Sequence, residues 1–452
     1  MEPTPARPVQ DGHDAQTPGG LWSRIRPLFW SPWAMVVVAL ALRLVVMGFL
    51  YPIQLDPARD HWKFGWETGR VARSIATGQG FSSPYSQPSG PTALIPPVYA
   101  YLVAGVFKLF GIYTVSSALV LLTLNNLFAS STCLPVFSIA RKVFGLRVAA
   151  WAGWTWVLFP YSIAIASTTV WETSLTTLLL TLLALFTLNL ERSTSFLAWV
   201  GYGLLWGFTA LTSPATLSTL PFLAGWIWLR HWRRGSNCTG AALAGFLVFL
   251  ATITPWIWRC TETYGRFVLL RSNFGLEILV GNSDDTRTPA NWNLLPWYDP
   301  TEMEELQRMG EPAYMARKQH QAAELIARRP LRFAGLTLRR ILNTWTGIWE
   351  PPTHWRLEPS GLPNVLTYSL ISLLAFSGLG WAIHDGRRDA IPLAILLVCL
   401  PMVYYLTHPD LGYRHPIDPV ITIFMVHGVV SFRRQKALPK RAAQSGSARP
   451  RV

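Results

Sequence analysis

The chain has 452 residues, of which 50% are hydrophobic and only 14% are charged. Repeated apolar runs of about 20 residues, the length that spans a bilayer as helix, exclude an ordinary soluble domain. The net charge of +15 does not indicate a nucleic-acid partner, because the basic residues flank the apolar runs as the positive-inside rule expects. The four cysteines are scattered and predict neither a metal site nor a disulfide framework.

The chain opens with residues 1–30, which are rich in Pro, Gly and Arg and predict a disordered cytoplasmic tail. No small-residue cleavage motif follows the first apolar run, 34–51, so this run is predicted to be a retained signal anchor. Residues 31–432 are predicted to form one transmembrane domain, and residues 433–452 a basic cytoplasmic tail.

Clusters of Lys and Arg mark the predicted cytoplasmic face. If all of them lie on one side, an even number of crossings must separate neighbouring clusters. The clusters are at 24–26, 141–147, 192, 230–235, 384–389 and 433–436. Four pairs of apolar runs meet the requirement: 149–168 with 173–190, 196–213 with 215–229, 239–257 with 363–383, and 390–407 with 417–432.

Before Arg141 there are three apolar runs, 34–51, 93–111 and 113–140, so one of them must not cross. The run 93–111 contains a Pro-Pro pair near its start, carries Lys108 and ends at a glycine, which is typical of an interfacial helix. We therefore predict an all-α polytopic protein with about ten transmembrane helices and both termini cytoplasmic. A pair of interfacial helices is expected in the first outer loop.

This topology places four segments on the outer face, namely 52–112, 169–172, 258–362 and 407–419. The first two contain the same tripeptide, Trp-Glu-Thr, with its glutamate at Glu67 and at Glu172. A carboxylate at a membrane boundary is costly unless it has a partner or a role, so the pair predicts a functional site. For Glu172, capping of the following helix is the structural alternative.

The long outer segment, 258–362, offers Arg271 as a candidate ligand for an anion. A salt bridge from Arg271 to Glu277 or Asp284 is the structural alternative. The last outer segment contains Arg414 and His415, for which an anchor at the membrane interface is the alternative reading.

Two groups of polar residues are predicted to lie at the membrane surface or within the membrane. Arg332 and Arg339 are seven residues apart on one face of a predicted amphipathic helix, where their guanidinium groups would pair with lipid phosphates or simply anchor the helix. Within the membrane, Arg43 and the pair Asn125 and Asn126 are expected to form hydrogen bonds between helices.

Several stretches together resemble a known family. They are an acidic residue before GRVARSIATGQGFSSPY, then IPPVYAYLVAGVFKLFG, LFPYSIAIASTTVWETSL, WGFTALTSPATLSTLPFLAGW, TPWIWR, RSNFGLEILVGN and YRHPIDP. Their order and spacing over residues 34–432 resemble the GT-C superfamily of membrane glycosyltransferases. The resemblance is to its bacterial branch, which is similar to protein O-mannosyltransferases and the lipid A aminoarabinose transferase.

The resemblance implies a polyprenyl-phosphate sugar donor and a glycan, lipid or protein acceptor, with transfer on the outer face of the bacterial inner membrane. The acceptor would attack the anomeric carbon while the lipid phosphate leaves. This step needs a carboxylate as general base, and cations or a divalent metal at the phosphate. No definite cofactor is predicted. A divalent metal is left open, because no His, Asp and Glu set has ligand spacing.

Carried over residue by residue, the resemblance makes Glu67 the general base. Many relatives have two adjacent acidic residues here, whereas Glu67 stands alone, so Asp60 and Asp56 upstream are its alternatives. Glu172 matches the second-loop carboxylate that positions the acceptor or a metal. Candidates for the donor phosphate are Arg271, Arg414 and His415.

The rival hypotheses are a transporter or flippase for a lipid-linked or anionic substrate, and a membrane scaffold. Transporters commonly show internal repeats and polar residues near the membrane midplane. The sequence shows no repeat, and its notable carboxylates are predicted at outer helix ends, which favours the transferase.

Overall fold

The computed structural model describes residues 27–54, 64–286, 290–349 and 362–445, and this part of the chain is mainly helical. The first ten helices are α1 Pro32–Gln54, α2 Glu67–Ala76, α3 Pro97–Phe110, α4 Val115–Ser131, α5 Cys133–Phe144, α6 Leu146–Val157, α7 Pro160–Thr168, α8 Thr173–Leu190, α9 Phe196–Thr212 and α10 Leu220–Arg233. A 3₁₀ turn, Pro214–Thr219, separates α9 from α10.

The remaining helices form the last four predicted crossings and the two outer segments between them. They are α11 Thr239–Tyr264, α12 Phe274–Asn282, α13 Pro300–Met309, α14 Glu311–Arg328, α15 Pro330–Thr346, α16 Leu362–His384, α17 Ile391–Leu406, α18 Leu411–Arg414 and α19 Asp418–Ser445. The leucines of α16 that point outward, Leu366, Leu370 and Leu373, are between 57% and 68% exposed, as expected for a surface in contact with lipid.

All ten predicted crossings coincide with helices. Seven described helices are long and apolar enough to span a membrane, and the bent pair α6–α7 makes an eighth. Helix α9 is a shorter apolar helix, and the predicted run 215–229 is divided between the 3₁₀ turn and the 14-residue α10. The all-α polytopic architecture is confirmed, while the total of ten crossings stays a prediction.

The two helices predicted to lie at the interface are α2 and α3. Helix α3 has only 14 residues, which is too short for a straight crossing of the bilayer core. The two helices pack together: Phe64, just before α2, contacts Phe107 of α3 with ring centroids 5.8 Å apart. This packing fixes the start of α2, where Glu67 lies.

The span α6–α7 is bent by 42° where the two helices meet. Pro160 begins α7 and cannot donate a backbone hydrogen bond, so carbonyl groups at the end of α6 lose their helical donors. Arg43, fully buried in α1, donates to the carbonyl oxygens of Val157 at 3.2 Å and Trp156 at 3.3 Å. The expectation that Arg43 bonds between helices is therefore confirmed.

The asparagine pair also bonds between helices, as predicted. Asn125 donates to the carbonyl oxygen of Thr169 at 3.0 Å and accepts from the Tyr99 hydroxyl at 2.8 Å. Asn126 accepts from the Ser167 hydroxyl at 3.1 Å. Both residues are buried, so these bonds satisfy polar groups that would otherwise be costly in lipid.

Several of the basic clusters used for the topology lie close together. Arg230 and Arg234 both bind the buried carboxylate of Glu191, and Arg230 lies 3.6 Å from Asp389. Lys142 donates to the Asn189 side chain at 2.9 Å. The described clusters at 141–147, 192, 230–235 and 384–389 thus lie together, as the parity argument assumes.

Candidate functional site

The two Trp-Glu-Thr segments touch each other. The rings of Trp66 and Trp171 are edge to face, with centroids 5.3 Å apart. Gly65 lies directly against the second segment, because a Cβ atom there would be 2.5 Å from the carbonyl oxygen of Val170. The first and second outer segments therefore meet at the positions that carry Glu67 and Glu172.

Glu67 is the first residue of α2, and an unusual backbone turn brings it there. Gly65 has φ +88°, and Trp66 has φ +47°, a value that non-glycine residues rarely adopt. Such a conformation costs about 1–3 kcal/mol and persists only where the surroundings impose it, commonly at functional sites. Burial raises the pKa of Glu67, and the nearby Glu277 adds to this, whereas Arg271 and Arg70 oppose it.

Glu172 stands at the N-cap position of α8, but its side chain makes no capping hydrogen bond. The structure thus shows no capping hydrogen bond, whereas the position of Glu172 at the N-terminus of α8 still allows a favourable interaction with the helix dipole. Burial raises the pKa of Glu172 to about 7, and Glu67 contributes to the rise while Arg271 opposes it. A carboxyl group with this pKa is poised to hold or release a proton near neutral pH.

Glu172 lines a cavity of about 460 Å³ at this end of the bundle. Three of the four predicted outer segments and the turn between α9 and α10 contribute to it. The lining residues are Trp171–Thr173 and Thr176, Ser213–Ala215, Leu217 and Ser218, Leu269–Arg271, Asn273, Phe274 and Glu277, and Val403, Tyr404, Thr407, His408, Gly412, Tyr413 and Pro416.

Arg271 is an exposed residue in the wall of this cavity. Its Nε donates to the carbonyl oxygen of Leu94 at 2.8 Å, and its charge opposes the rise in the pKa of both Glu67 and Glu172. No ion pair joins Arg271 to Glu277 within the described ranges, and Asp284 pairs with Arg329 instead, at 2.8 Å. The guanidinium group is thus held near the carboxylates without being neutralised by direct pairing.

Glu311 fixes the segment that carries Arg271. Its Oε1 accepts hydrogen bonds from the Ser272 hydroxyl at 2.8 Å, from the backbone N–H of Ala93 at 3.2 Å and from the Tyr264 hydroxyl. One buried carboxylate therefore ties together the first outer segment, α11 and the residue next to Arg271.

The structure adds a pair of residues to the candidate site. Sequence reasoning named Glu277 only as a possible partner of Arg271 and did not name His408. Nε2 of His408 lies 2.9 Å from Oε2 of Glu277, and Asn273 donates to Oε1 of Glu277 at 2.6 Å. Burial alone would raise the pKa of Glu277, but the hydrogen bond and charge of His408, the charge of Arg271 and the hydrogen bond from Asn273 together outweigh it. The pKa therefore lies below its usual range. The only sequence signal was the position of His408 in the last outer segment.

Arg340 holds the end of α17, which leads into His408. It is almost fully buried and donates to the carbonyl oxygens of Tyr405 at 3.0 Å and Leu406 at 3.3 Å. On its other side it donates to the carbonyl oxygen of Gly281 and to Oδ1 of Asn282, the latter at 2.8 Å. Since α12 carries Glu277, this one guanidinium group joins both halves of the Glu277–His408 pair.

Arg414 and His415 do not line the cavity. Both are buried, and both bind Asp418: Nε of Arg414 lies 3.1 Å from Oδ1, and Nδ1 of His415 lies 2.9 Å from Oδ2. Arg414 also lies over the Tyr368 ring, 4.3 Å from its centroid. Their predicted contact with a donor phosphate remains a prediction, and their contacts are those of residues that hold α18 against α19.

Other sequence expectations fall partly outside the structure. Asp60 and Asp56, the alternative bases, lie outside the described residues. Arg332 donates to the carbonyl oxygens of Ser283, Asp284 and Thr286, so part of its hydrogen-bonding capacity is used within the protein. Among the described residues, no three His, Cys, Asp or Glu side chains are grouped to hold a metal ion.

Comparisons with solved structures show the fold. The Archaeoglobus fulgidus oligosaccharyltransferase in its apo form matches with a TM-score of 0.53 and 14% sequence identity, over 94% of this chain. The archaeal oligosaccharyltransferase AglB from the same organism, in complex with an inhibitory peptide and a dolichol-phosphate, gives a TM-score of 0.52 and 14% identity over 96% of this chain. This chain spans about half, 53%, of either structure.

ArnT from Cupriavidus metallidurans bound to undecaprenyl phosphate is also similar, at 14% identity over 86% of this chain and 77% of ArnT, but its TM-score is only 0.37. No family model and no curated protein matches the chain. The GT-C-like membrane fold expected from the sequence is thus confirmed by the two oligosaccharyltransferase structures.

Proposed function

We propose that this protein is an integral membrane glycosyltransferase. It moves a sugar from a polyprenyl-phosphate donor to a glycan, lipid or protein acceptor on the outer face of the bacterial inner membrane. The observation that carries the proposal is the meeting of Glu67 and Glu172, from separate segments, beside a cavity whose wall contains Arg271. This transfer requires carboxylates that accept or donate a proton and a cation that binds the phosphate.

In the proposed reaction, an acceptor hydroxyl or amine attacks the anomeric carbon of the donor. The new bond forms as the bond between that carbon and the phosphate oxygen breaks, and the phosphate leaves with the electron pair. Glu67 takes the proton of the acceptor as general base. Its raised pKa increases its strength as a base, and the charge of Arg271 opposes that rise, which helps to keep the carboxylate ionised.

Glu172 and Arg271 would act on either side of this step. Glu172 lines the cavity and is proposed to hold the acceptor by hydrogen bonds, while Arg271 binds the departing phosphate. The described residues do not provide a set of metal ligands, so we assign no step to a metal. A similar structure holds a dolichol-phosphate, which supports a polyprenyl-phosphate lipid as the donor type.

The experiment is transfer by the purified protein in proteoliposomes, with a panel of polyprenyl-phosphate sugars and candidate acceptors. Release of polyprenyl phosphate, together with a glycosylated acceptor, supports the proposal. Glu67→Gln should abolish both products, and unimpaired transfer by this variant would exclude Glu67 as the base.

The alternative, a transporter or flippase for a lipid-linked or anionic substrate, is tested in the same vesicles. A flippase would move the intact donor between leaflets and leave its sugar–phosphate bond unbroken. Movement of intact donor, with no release of polyprenyl phosphate from any member of the panel, would favour that alternative over the transferase.

A further inference from the structure

His408 is a buried histidine that uses only one of its two ring nitrogens within the protein. Its side chain is 3% exposed, and Nε2 is engaged by Glu277 at 2.9 Å. Nδ1 is buried and has no hydrogen-bond partner in the part of the chain that the structure describes. An unsatisfied buried polar atom costs about 1–3 kcal/mol, so a ligand that pairs with Nδ1 would recover this free energy.

His408 lies in the wall of the cavity described above. His408 lines it together with Glu172, Arg271 and Glu277. Two aromatic rings hold the imidazole: Trp292 at 5.1 Å and Tyr413 at 5.4 Å between centroids. The ring is thus held in place by its neighbours and by Glu277, so a ligand that enters the same cavity would meet a pre-organised imidazole.

We propose that His408 binds the phosphate of the lipid-linked donor through Nδ1, as an imidazolium and together with Arg271, so that donor binding takes up a proton. This inference rests on the proposed function and deepens it by assigning a second cation to the phosphate. A neutral imidazole that donates Nε2–H to Glu277 presents a lone pair at Nδ1, which repels a phosphate. The imidazolium presents Nδ1–H instead and forms a charge-assisted hydrogen bond.

The charged groups around His408 set the balance between these two forms. Glu277 on α12 favours the imidazolium, since its pKa is lowered and it stays ionised. Arg271 opposes the imidazolium, and Glu172 favours it only when ionised. Beyond α17, Tyr413 packs against His408, and the charge of Asp410 acts on Tyr413. An arriving phosphate adds negative charge, so phosphate and proton bind with positive coupling.

The test measures binding of undecaprenyl methyl phosphate to the full-length protein in detergent between pH 5.5 and 8.5, with undecaprenol as the uncharged comparison. This phosphodiester carries one fixed negative charge, as the donor does, whereas undecaprenyl phosphate itself titrates at about pH 6. We expect the affinity for the phosphate lipid to fall about tenfold as pH rises through the titration of a histidine, while binding of the alcohol stays constant. Calorimetry in two buffers of different ionisation enthalpy should show net proton uptake near pH 7 when the phosphate lipid binds.

Two variants separate binding from support of the fold. His408→Gln places an amide where Nε2 contacts Glu277 and removes Nδ1, so it should weaken phosphate-lipid binding about tenfold near pH 6 and abolish its pH dependence. Glu277→Gln keeps a hydrogen-bonding group but removes the charge, and should move the pH dependence to lower pH. His320→Gln, an exposed histidine on α14, is the matched control and should behave like the wild type.

The inference is overturned if His408→Gln retains both the affinity and the pH dependence of the wild type, or if the wild type takes up no proton. Either result would leave the proposed function standing, provided that the wild type prefers the phosphate lipid to the alcohol. Failure of the wild type to distinguish the two lipids would overturn the proposed function and this inference together. Melting temperatures of the variants establish that each is folded.

Discussion

Glu67 is proposed to take the acceptor's proton, and this can be tested at the level of one side chain. Glu67→Gln removes the proton acceptor but keeps the size of the residue, and we expect the transfer rate to fall about 10²- to 10⁴-fold. Glu324→Gln, at an exposed carboxylate on α14, is the control and should be neutral. Asp60→Asn tests the alternative base: a loss with Asp60→Asn but none with Glu67→Gln would reverse the assignment.

Glu172 should make stability depend on pH in a direction that its pKa sets. Because burial raises this pKa to about 7, the folded protein holds the proton more tightly than the unfolded chain between about pH 4.5 and 7. Stability therefore falls as pH rises through this window. Melting temperatures at pH 5.5 and pH 8 should differ less for Glu172→Gln than for the wild type; an equal or larger difference in the variant would contradict the assignment.

At the residue scale, sequence reasoning found part of the site. Glu67 and Glu172 were found because a carboxylate beside an apolar run is unusual, and Arg271 because it lies in a predicted outer segment. Glu277 was considered only as a salt-bridge partner of Arg271, and its contact with His408 was missed, since the two residues are 131 positions apart and no local pattern joins them. Only the fold brings them into contact.

At the scale of secondary-structure elements, the backbone turn before α2 positions Glu67. A Cβ at Gly65 would lie 2.5 Å from the carbonyl oxygen of Val170, whereas a Cβ at Gly78 would meet nothing within 4 Å. Both glycines have φ near +85°, at +88° and +83°, so both alanine variants share the backbone strain. Gly65→Ala should lower transfer far more than Gly78→Ala, and equal activities in a transfer assay would show that this contact does not position Glu67.

The end of α17 depends on Arg340 in a similar way. Arg340→Met removes the donor from four oxygen atoms that are buried or partly buried. It should destabilise the protein by about 1–3 kcal/mol or more, because acceptors that stay buried lose their hydrogen bonds. Arg141, exposed on α5, provides the control, since Arg141→Met should change stability by about 0.5 kcal/mol or less. Thermal unfolding in detergent measures both, and a small effect of Arg340→Met would contradict this role.

Apolar run length and flanking charges predicted where the helices lie, and all ten predicted runs are helical. These two signals did not predict where the helices are interrupted. The bend at Pro160 is stabilised by Arg43 from another helix, and the turn Pro214–Thr219 divides a run that hydropathy alone reads as continuous. Breaks of this kind depend on tertiary partners for the freed carbonyl groups, which a single segment of sequence does not reveal.

At the scale of the whole molecule, the described basic clusters between 141 and 389 lie together, and the two Trp-Glu-Thr segments meet beside the candidate cavity. Labelling with a membrane-impermeant maleimide tests the proposed orientation, and the native cysteines, all buried, should give little background. Glu324→Cys, in the long outer segment, should react in intact spheroplasts, whereas Arg387→Cys should react only after permeabilisation. The opposite pattern would invert the topology and place the site in the cytoplasm.

The central claim is that the cavity beside Glu67 and Glu172 binds the phosphate of a polyprenyl-phosphate lipid. The most direct measurement is a cryo-electron microscopy structure of the full-length protein in nanodiscs with undecaprenyl phosphate. We expect the phosphate in this cavity, with its oxygens about 2.8 Å from the guanidinium nitrogens of Arg271. A phosphate bound outside the cavity, against Arg414 and His415 or elsewhere, would contradict the account.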